Sequence, residues 1–73
     1  DEQHAIIEVA VPEDWQGRSI GELDIRRKYG VNILGVKREN KTDVNISPET
    51  VLDADMTLLV LGENQKLKKH FRL

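Results

Sequence analysis

Cysteine is absent from this 73-residue chain, which contains only three aromatic residues, one each of tryptophan, tyrosine and phenylalanine. Without cysteine, neither a disulfide nor a thiolate metal site can form. Three aromatic side chains are too few for a surface on which successive bases of a single-stranded nucleic acid stack. No apolar run approaches the roughly 18 residues that a membrane-spanning segment needs. The sequence therefore predicts a small domain that does not insert into a membrane.

Neither sign of charge dominates, because 11 Lys and Arg residues stand against 13 Asp and Glu residues, a formal net charge of −2. Nucleic-acid-binding domains are usually strongly basic, so no nucleic-acid partner is expected. The chain opens with Asp1, Glu2, Gln3 and His4, without an initiator methionine or the basic segment of a secretion signal. We therefore expect a cytosolic fragment of a longer protein, whose thin core a partner chain would stabilise.

The hydrophobic pattern predicts a single α+β domain of the order β-α-β-β-β-α, with about four strands and two helices. Strands are expected over residues 4–11, Val31–Arg38, 43–46 and 56–61, and the last is apolar on both faces, as in a central strand. A capping box opens the first helix at Ser19 and Glu22, and Gly30 ends it. Pro48 is expected to begin a helical turn, and residues 63–73 form the final helix.

The first helix carries two apolar stripes. Ile20 and Leu23 share one side, whereas Ile25 and Tyr29 lie on nearly the opposite side. A surface helix that packs on one sheet needs only one stripe, so we expect something outside the chain to cover the second. Arg26 projects between the stripes, where a guanidinium either extends to solvent along its aliphatic stem or faces an anion at a contact surface.

Catalytic and metal-binding motifs are absent. Ser19 and Ser47 both stand where helix caps belong, and no nucleophile elbow, phosphate-binding loop or dinucleotide fingerprint is present. His4 and His70 are far apart in the sequence and lack a ligand spacing. The basic residues of the final helix read as a solvated face. We expect no enzyme activity, no metal and no cofactor.

Two segments of the sequence resemble a known family. They are S-I-G-E-L-D-I-R-R-K-Y-G-V-N-I-L-G-V-K-R at residues 19–38, and N-I-S-P at 45–48 followed by V-L-D-A-D-M-T-L-L-V-L-G at 51–62. In order and spacing they resemble the RCK_C (TrkA-C) domain, the C-terminal lobe of cytosolic gating subunits of potassium channels and transporters. The family commonly has Gly-Asp where this chain has Ala54-Asp55. Within the family, the similarity is greatest to the C-lobe of KtrA-type potassium-uptake subunits.

The resemblance implies a symmetric homodimer that binds the second messenger cyclic di-AMP at its dimer interface. The family positions of that site correspond to Ile20, Asp24, Ile25, Arg26, Asn32, Ile33 and Pro48. A two-fold dimer presents each residue twice to a two-fold ligand. Arg26 would hold a phosphate, Asn32 would pair with an adenine edge or a ribose hydroxyl, and the apolar residues would form walls.

The resemblance implies that residues 1–73 are one regulatory domain, that a Rossmann-type lobe preceded it, and that it lies in the cytoplasm beside a membrane potassium-transport subunit. Ligand binding would inhibit potassium uptake. The alternative is a ligand-free module that dimerises and couples the gating ring of a potassium channel or cation antiporter. The apolar residues of the site would then bury only against the partner chain.

Overall fold

The computed structural model describes residues 2–73 and contains a four-stranded antiparallel sheet, a two-stranded ribbon and short helices on one side of the sheet. The strands are β1 (His4–Ala10), β2 (Arg18–Ser19), β3 (Val31–Arg38), β4 (Lys41–Asp43), β5 (Val51–Leu52) and β6 (Thr57–Glu63). The helices are α1 (Ile20–Leu23), α2 (Ile25–Tyr29) and α3 (Asn64–His70), with a 3-10 turn at Glu13–Trp15. The predicted α+β class and its sheet of four strands are confirmed.

Strand β6 lies in the middle of the sheet, whose order is β1-β6-β3-β4. On one face of β6, Leu58 and Val60 are fully buried and pack with the helices. On the other face, Leu61 is half-buried, and its neighbour Ile6 on β1 is 58% exposed. The expectation of a central strand that is apolar on both faces is therefore confirmed.

Strand β3 contains a register shift between Ile33 and Gly35. Strict alternation predicts that Val36 shares a face with Asn32 and that Ile33 points the other way. The extra residue reverses this pattern, so Val36 lies opposite Leu58 and Ile33 lies opposite Val60, both on the core face. The predicted faces of β3 beyond the shift are wrong, and Ile33 packs against the chain's own core.

The first helix is interrupted at Asp24, where a single continuous helix was predicted. Asp24 has a left-handed backbone (φ 51°, ψ 50°) that ends α1 and starts α2. The capping box at Ser19 and Glu22 is confirmed, with Glu22 N–H donating to Ser19 Oγ at 3.1 Å. The interruption gives α2 a different direction from α1. As a result, both Leu23 (3% exposed) and Ile25 (4% exposed) lie in the same core.

The second apolar stripe is covered from within the chain, so the expectation of an external cover is wrong. Besides the burial of Ile25, the Tyr29 ring lies 4.9 Å from Trp15 and 5.0 Å from His70, centroid to centroid. Trp15 also meets Phe71 edge to face at 5.5 Å. Residues of the 3-10 turn and of α3 therefore cover the stripe, and such ring pairs stabilise the fold beyond their buried area.

The segment after β3 differs from the prediction. The short strand is Lys41–Asp43, so residues 44–46 lie outside it. The predicted helical turn at Pro48 is instead a β-turn, in which Thr50 N–H donates to Ser47 O at 3.0 Å. Ser47 Oγ accepts from Glu49 N–H at 3.3 Å, so Ser47 stabilises a turn in place of a helix. The ribbon of β2 and β5 is too short to have been predicted from periodicity.

Helix α3 is shorter than predicted but presents the expected face. Leu67 and Phe71 are buried and His70 is half-buried. Burial lowers the pKa of His70, and the charges of Lys69 and Lys66 lower it further. Within residues 2–73, no helix combines the length and apolar character needed to cross a bilayer.

Acidification should destabilise the fold through His70. The pKa of His70 is lower in the folded chain than in the unfolded chain, so the unfolded chain takes up a proton first as the pH falls. The contribution of His70 to the free energy of unfolding is therefore complete above the unfolded pKa near 6.5 and is lost as the pH drops below it. We expect the melting temperature to fall from pH 7.5 to 5.5, and to fall less in His70→Gln. His4→Gln serves as the matched control. Equal falls in wild type and His70→Gln would contradict the assignment.

Candidate functional site

A cavity of about 260 Å³ lies where α1, α2 and the start of β3 meet. It is lined by Ile20, Gly21, Asp24, Ile25, Arg26, Val31, Asn32 and Ile33. Six of the seven residues implied by the resemblance are therefore together at one cavity, and all of its lining comes from one continuous segment. The seventh, Pro48, is outside the lining but adjoins Gly21.

The apolar part of the cavity has a fixed floor and more exposed walls. Ile25 forms the floor and is only 4% exposed, because the interruption at Asp24 turns it into the core. Ile20 and Ile33 are half-buried and pack on the edge of the core. A flat aromatic ring placed here would contact side chains that are already held by packing.

Arg26 and Asn32 form the polar part of the cavity. Arg26 Nε donates a hydrogen bond to Asn32 Oδ1 at 2.7 Å. This bond leaves both terminal nitrogens of the guanidinium and the amide nitrogen of Asn32 as donors. Among residues 2–73, no carboxylate forms an ion pair with Arg26. The pair therefore presents an uncompensated positive charge and several donors, the arrangement that suits a phosphate.

Asp24 brings a carboxylate to the same cavity. Its Oδ2 forms an ion pair with Arg27 Nε, and both side chains are partly exposed. Arg27 offsets the charge of Asp24, which keeps the carboxylate compatible with an anion bound at Arg26. The described part of the chain contains no group of three or more His, Cys, Asp or Glu residues that could hold a metal ion.

Backbone donors at the start of α1 are already used. Ile20 N–H donates to Thr50 O at 2.9 Å and Gly21 N–H donates to Pro48 O at 2.8 Å. The N–H of Glu22 is taken by Ser19 Oγ. The beginning of α1 therefore binds the segment that contains Pro48, and recognition of an anion at the cavity falls to Arg26 and Asn32.

Two lining residues were not predicted. Gly21 offers no side chain to a ligand and lies inside the capping box, and the structure places it against Pro48. Val31 is fully buried and shares the core face of β3 with Ile33. A signal for Gly21 was nevertheless present, since glycine is unfavourable inside a helix and often marks a close approach.

Comparison with known proteins identifies the family. The TrkA-C domain model matches residues 5–73, so the chain belongs to the TrkA-C (RCK_C) family, and the resemblance drawn from the sequence is confirmed. The chain is 33% identical over 61 residues to Ktr system potassium uptake protein C of Bacillus subtilis (strain 168), covering 84% of this chain and 28% of that protein. It is 33% identical over 54 residues to the K(+)/H(+) antiporter subunit KhtT of the same strain, covering 73% and 33%.

A solved structure provides the third comparison. The KtrA regulator of conductance of K+ (RCK) C domain, determined in complex with cyclic diadenosine monophosphate, superposes with a TM-score of 0.82 and 32% sequence identity. The match covers 93% of this chain and 80% of that one. By contrast, the chain spans about a third of the length of the curated relatives that it matches.

Replacement of Asn32 by alanine should release Arg26 without unfolding the domain. The hydrogen bond is exposed, so we expect stability to fall by at most about 1 kcal/mol. The Arg26 Nε–H should exchange with solvent faster in Asn32→Ala than in wild type, as measured by NMR. Lys28→Ala, on the same helix but outside the cavity, is the control. An unchanged exchange rate in Asn32→Ala would show that Asn32 does not hold Arg26 in solution.

Proposed function

We propose that this TrkA-C domain binds cyclic di-AMP between two copies of itself and thereby inhibits potassium uptake by the protein that contains it. The observation that carries this proposal is the convergence of Arg26 and Asn32 with half-buried isoleucines at a single cavity. Support also comes from the similarity to the KtrA domain that was solved with this ligand. The domain is proposed to act by binding, without enzymatic chemistry, metal or cofactor.

The size of the cavity favours a site that two chains complete. Sites that enclose a drug-sized ligand measure roughly 300–1,000 Å³. At about 260 Å³, the cavity of one chain falls below this range, whereas cyclic di-AMP contains two nucleotides. Two copies related by a two-fold axis would offer two such cavities to a ligand of the same symmetry. The homodimer is therefore proposed together with the ligand.

Each part of the ligand has a complementary group in the cavity. The terminal nitrogens of Arg26 would donate to a phosphate, and Nδ2 of Asn32 would donate to an adenine ring nitrogen or a ribose hydroxyl. The Asp24 carboxylate would accept from the exocyclic amine of adenine. Ile20, Ile33 and, from its neighbouring turn, Pro48 would contact the adenine rings, with Ile25 beneath.

The proposed regulation is a shift between two arrangements of the paired lobes. The ligand inhibits if it contacts the inactive arrangement better than the active one. In this proposal the chain is one regulatory domain of a longer cytoplasmic protein with a Rossmann-type lobe, held at the membrane by its potassium-transport partner. The names of the similar proteins, a potassium uptake protein and an antiporter subunit, support such a setting.

Calorimetric titration with cyclic di-AMP tests the proposal. We expect binding at micromolar concentrations, one ligand for two chains, and ligand-stabilised dimers in sedimentation. Arg26→Ala should lose about 1.5–3 kcal/mol of binding free energy for each phosphate contact, because these hydrogen bonds involve charged groups. Lys28→Ala removes the same charge from α2 outside the cavity and should change the affinity little.

Two results would count against the proposal. A folded dimer that gives no binding heat would favour the ligand-free coupling module. Wild-type affinity in Arg26→Ala would instead contradict the phosphate assignment while leaving the ligand in place.

A further inference from the structure

Gly21 and Pro48 approach each other too closely for any side chain at position 21. A Cβ atom built on Gly21 would lie 2.9 Å from Pro48 Cβ and 3.0 Å from Pro48 O. A Cβ atom essentially never comes within 3.0 Å of a heavy atom outside its own residue and the two adjoining residues. Both facing atoms lie on or next to the backbone, so rotation of a flexible side chain cannot relieve the contact. A methyl group at position 21 therefore has to move the Pro48 turn.

Backbone hydrogen bonds join residues 17–21 to residues 48–52, and they determine which end of the 48–52 segment moves. Gly17 N–H donates to Leu52 O at 2.7 Å, and Leu52 is fully buried. At the other end, Gly21 N–H donates to Pro48 O, and Pro48 is exposed. The buried end has no room to shift because its packing is dense. The displacement therefore falls on the exposed end, beside the cavity.

We propose that Gly21 is a positioning residue that sets the distance between Pro48 and the cavity, and thereby the affinity for a purine-containing ligand. This inference rests on the proposed function and adds to it the residue that determines the position of Pro48 beside the cavity. Gly21 has no side chain with which to hold a ligand. Because Gly21 lacks a side chain, the turn that contains Pro48 packs directly against α1, and a larger residue at position 21 would hold that turn further away.

The test is the affinity of Gly21→Ala for cyclic di-AMP, measured beside wild type. Alanine is normally favoured over glycine inside a helix, so a structurally neutral position would gain stability. We expect instead about tenfold weaker binding, the scale of one displaced apolar contact. The amide proton at position 21 should also exchange faster, since its bond to Pro48 O is strained. Glu49→Ala, an exposed change in the same turn, is the matched control and should bind as wild type does.

A double-mutant cycle separates positioning from a general structural effect. Pro48→Gly removes the ring and the Cβ at 2.9 Å, so adding Gly21→Ala to it should weaken binding no further. Additive losses, or wild-type affinity in Gly21→Ala, would overturn the role of Gly21. If Gly21→Ala does not fold, the double variant is compared with Pro48→Gly alone, since the 2.9 Å contact is absent from both, and weaker binding by the double variant overturns the role of Gly21. A wild-type chain that binds no cyclic di-AMP overturns the proposed function itself, and this inference with it.

Discussion

The left-handed backbone of Asp24 is the constraint on which the site depends. For most residues other than glycine this conformation costs about 1–2 kcal/mol, and Asp is among the residues that adopt it more readily. Burial of Leu23 and Ile25 on either side offsets that cost, since each side chain gains roughly 1.5–3 kcal/mol when removed from water. An uninterrupted helix would direct these two side chains away from each other. The turn at Asp24 sends both into the core, and the same turn aims Arg26 at Asn32.

The electrostatics of the cavity follow from which donors the fold has already used. Backbone N–H groups at the beginning of α1 bind the segment that contains Pro48, so they are not available to an anion. The guanidinium of Arg26 remains, oriented by one hydrogen bond and without an ion pair to any carboxylate among residues 2–73. An anion site made from side chains loses its donors when one of those side chains is replaced, whereas backbone N–H donors remain when most side chains change.

Much of the fold could be predicted from the sequence, and the errors have identifiable causes. Periodicity identified β1, β3 and β6 of the main sheet but placed the short strand after β3 two residues too late, and the capping box identified the start of the first helix. The interruption at Asp24 was missed because no glycine marks it, and the inner faces of β3 were missed because one extra residue at the register shift reverses alternation. Six of the seven residues of the proposed site lie side by side, because a helix, a tight turn at Gly30 and a strand follow one another, whereas Pro48 lies outside the lining. Gly21 was missed because its role lies in lacking a side chain.

All of the lining residues fall within positions 20–33, which has a consequence for how the site assembles. Contacts between residues close in sequence form quickly, because the chain loop that must close is short. The cavity can thus be organised early in folding, before the distant strands β1 and β6 have paired. Only the approach of Pro48 requires a longer loop. A ligand-binding surface encoded in 14 consecutive residues can also diversify by local sequence change while the sheet that supports it stays the same.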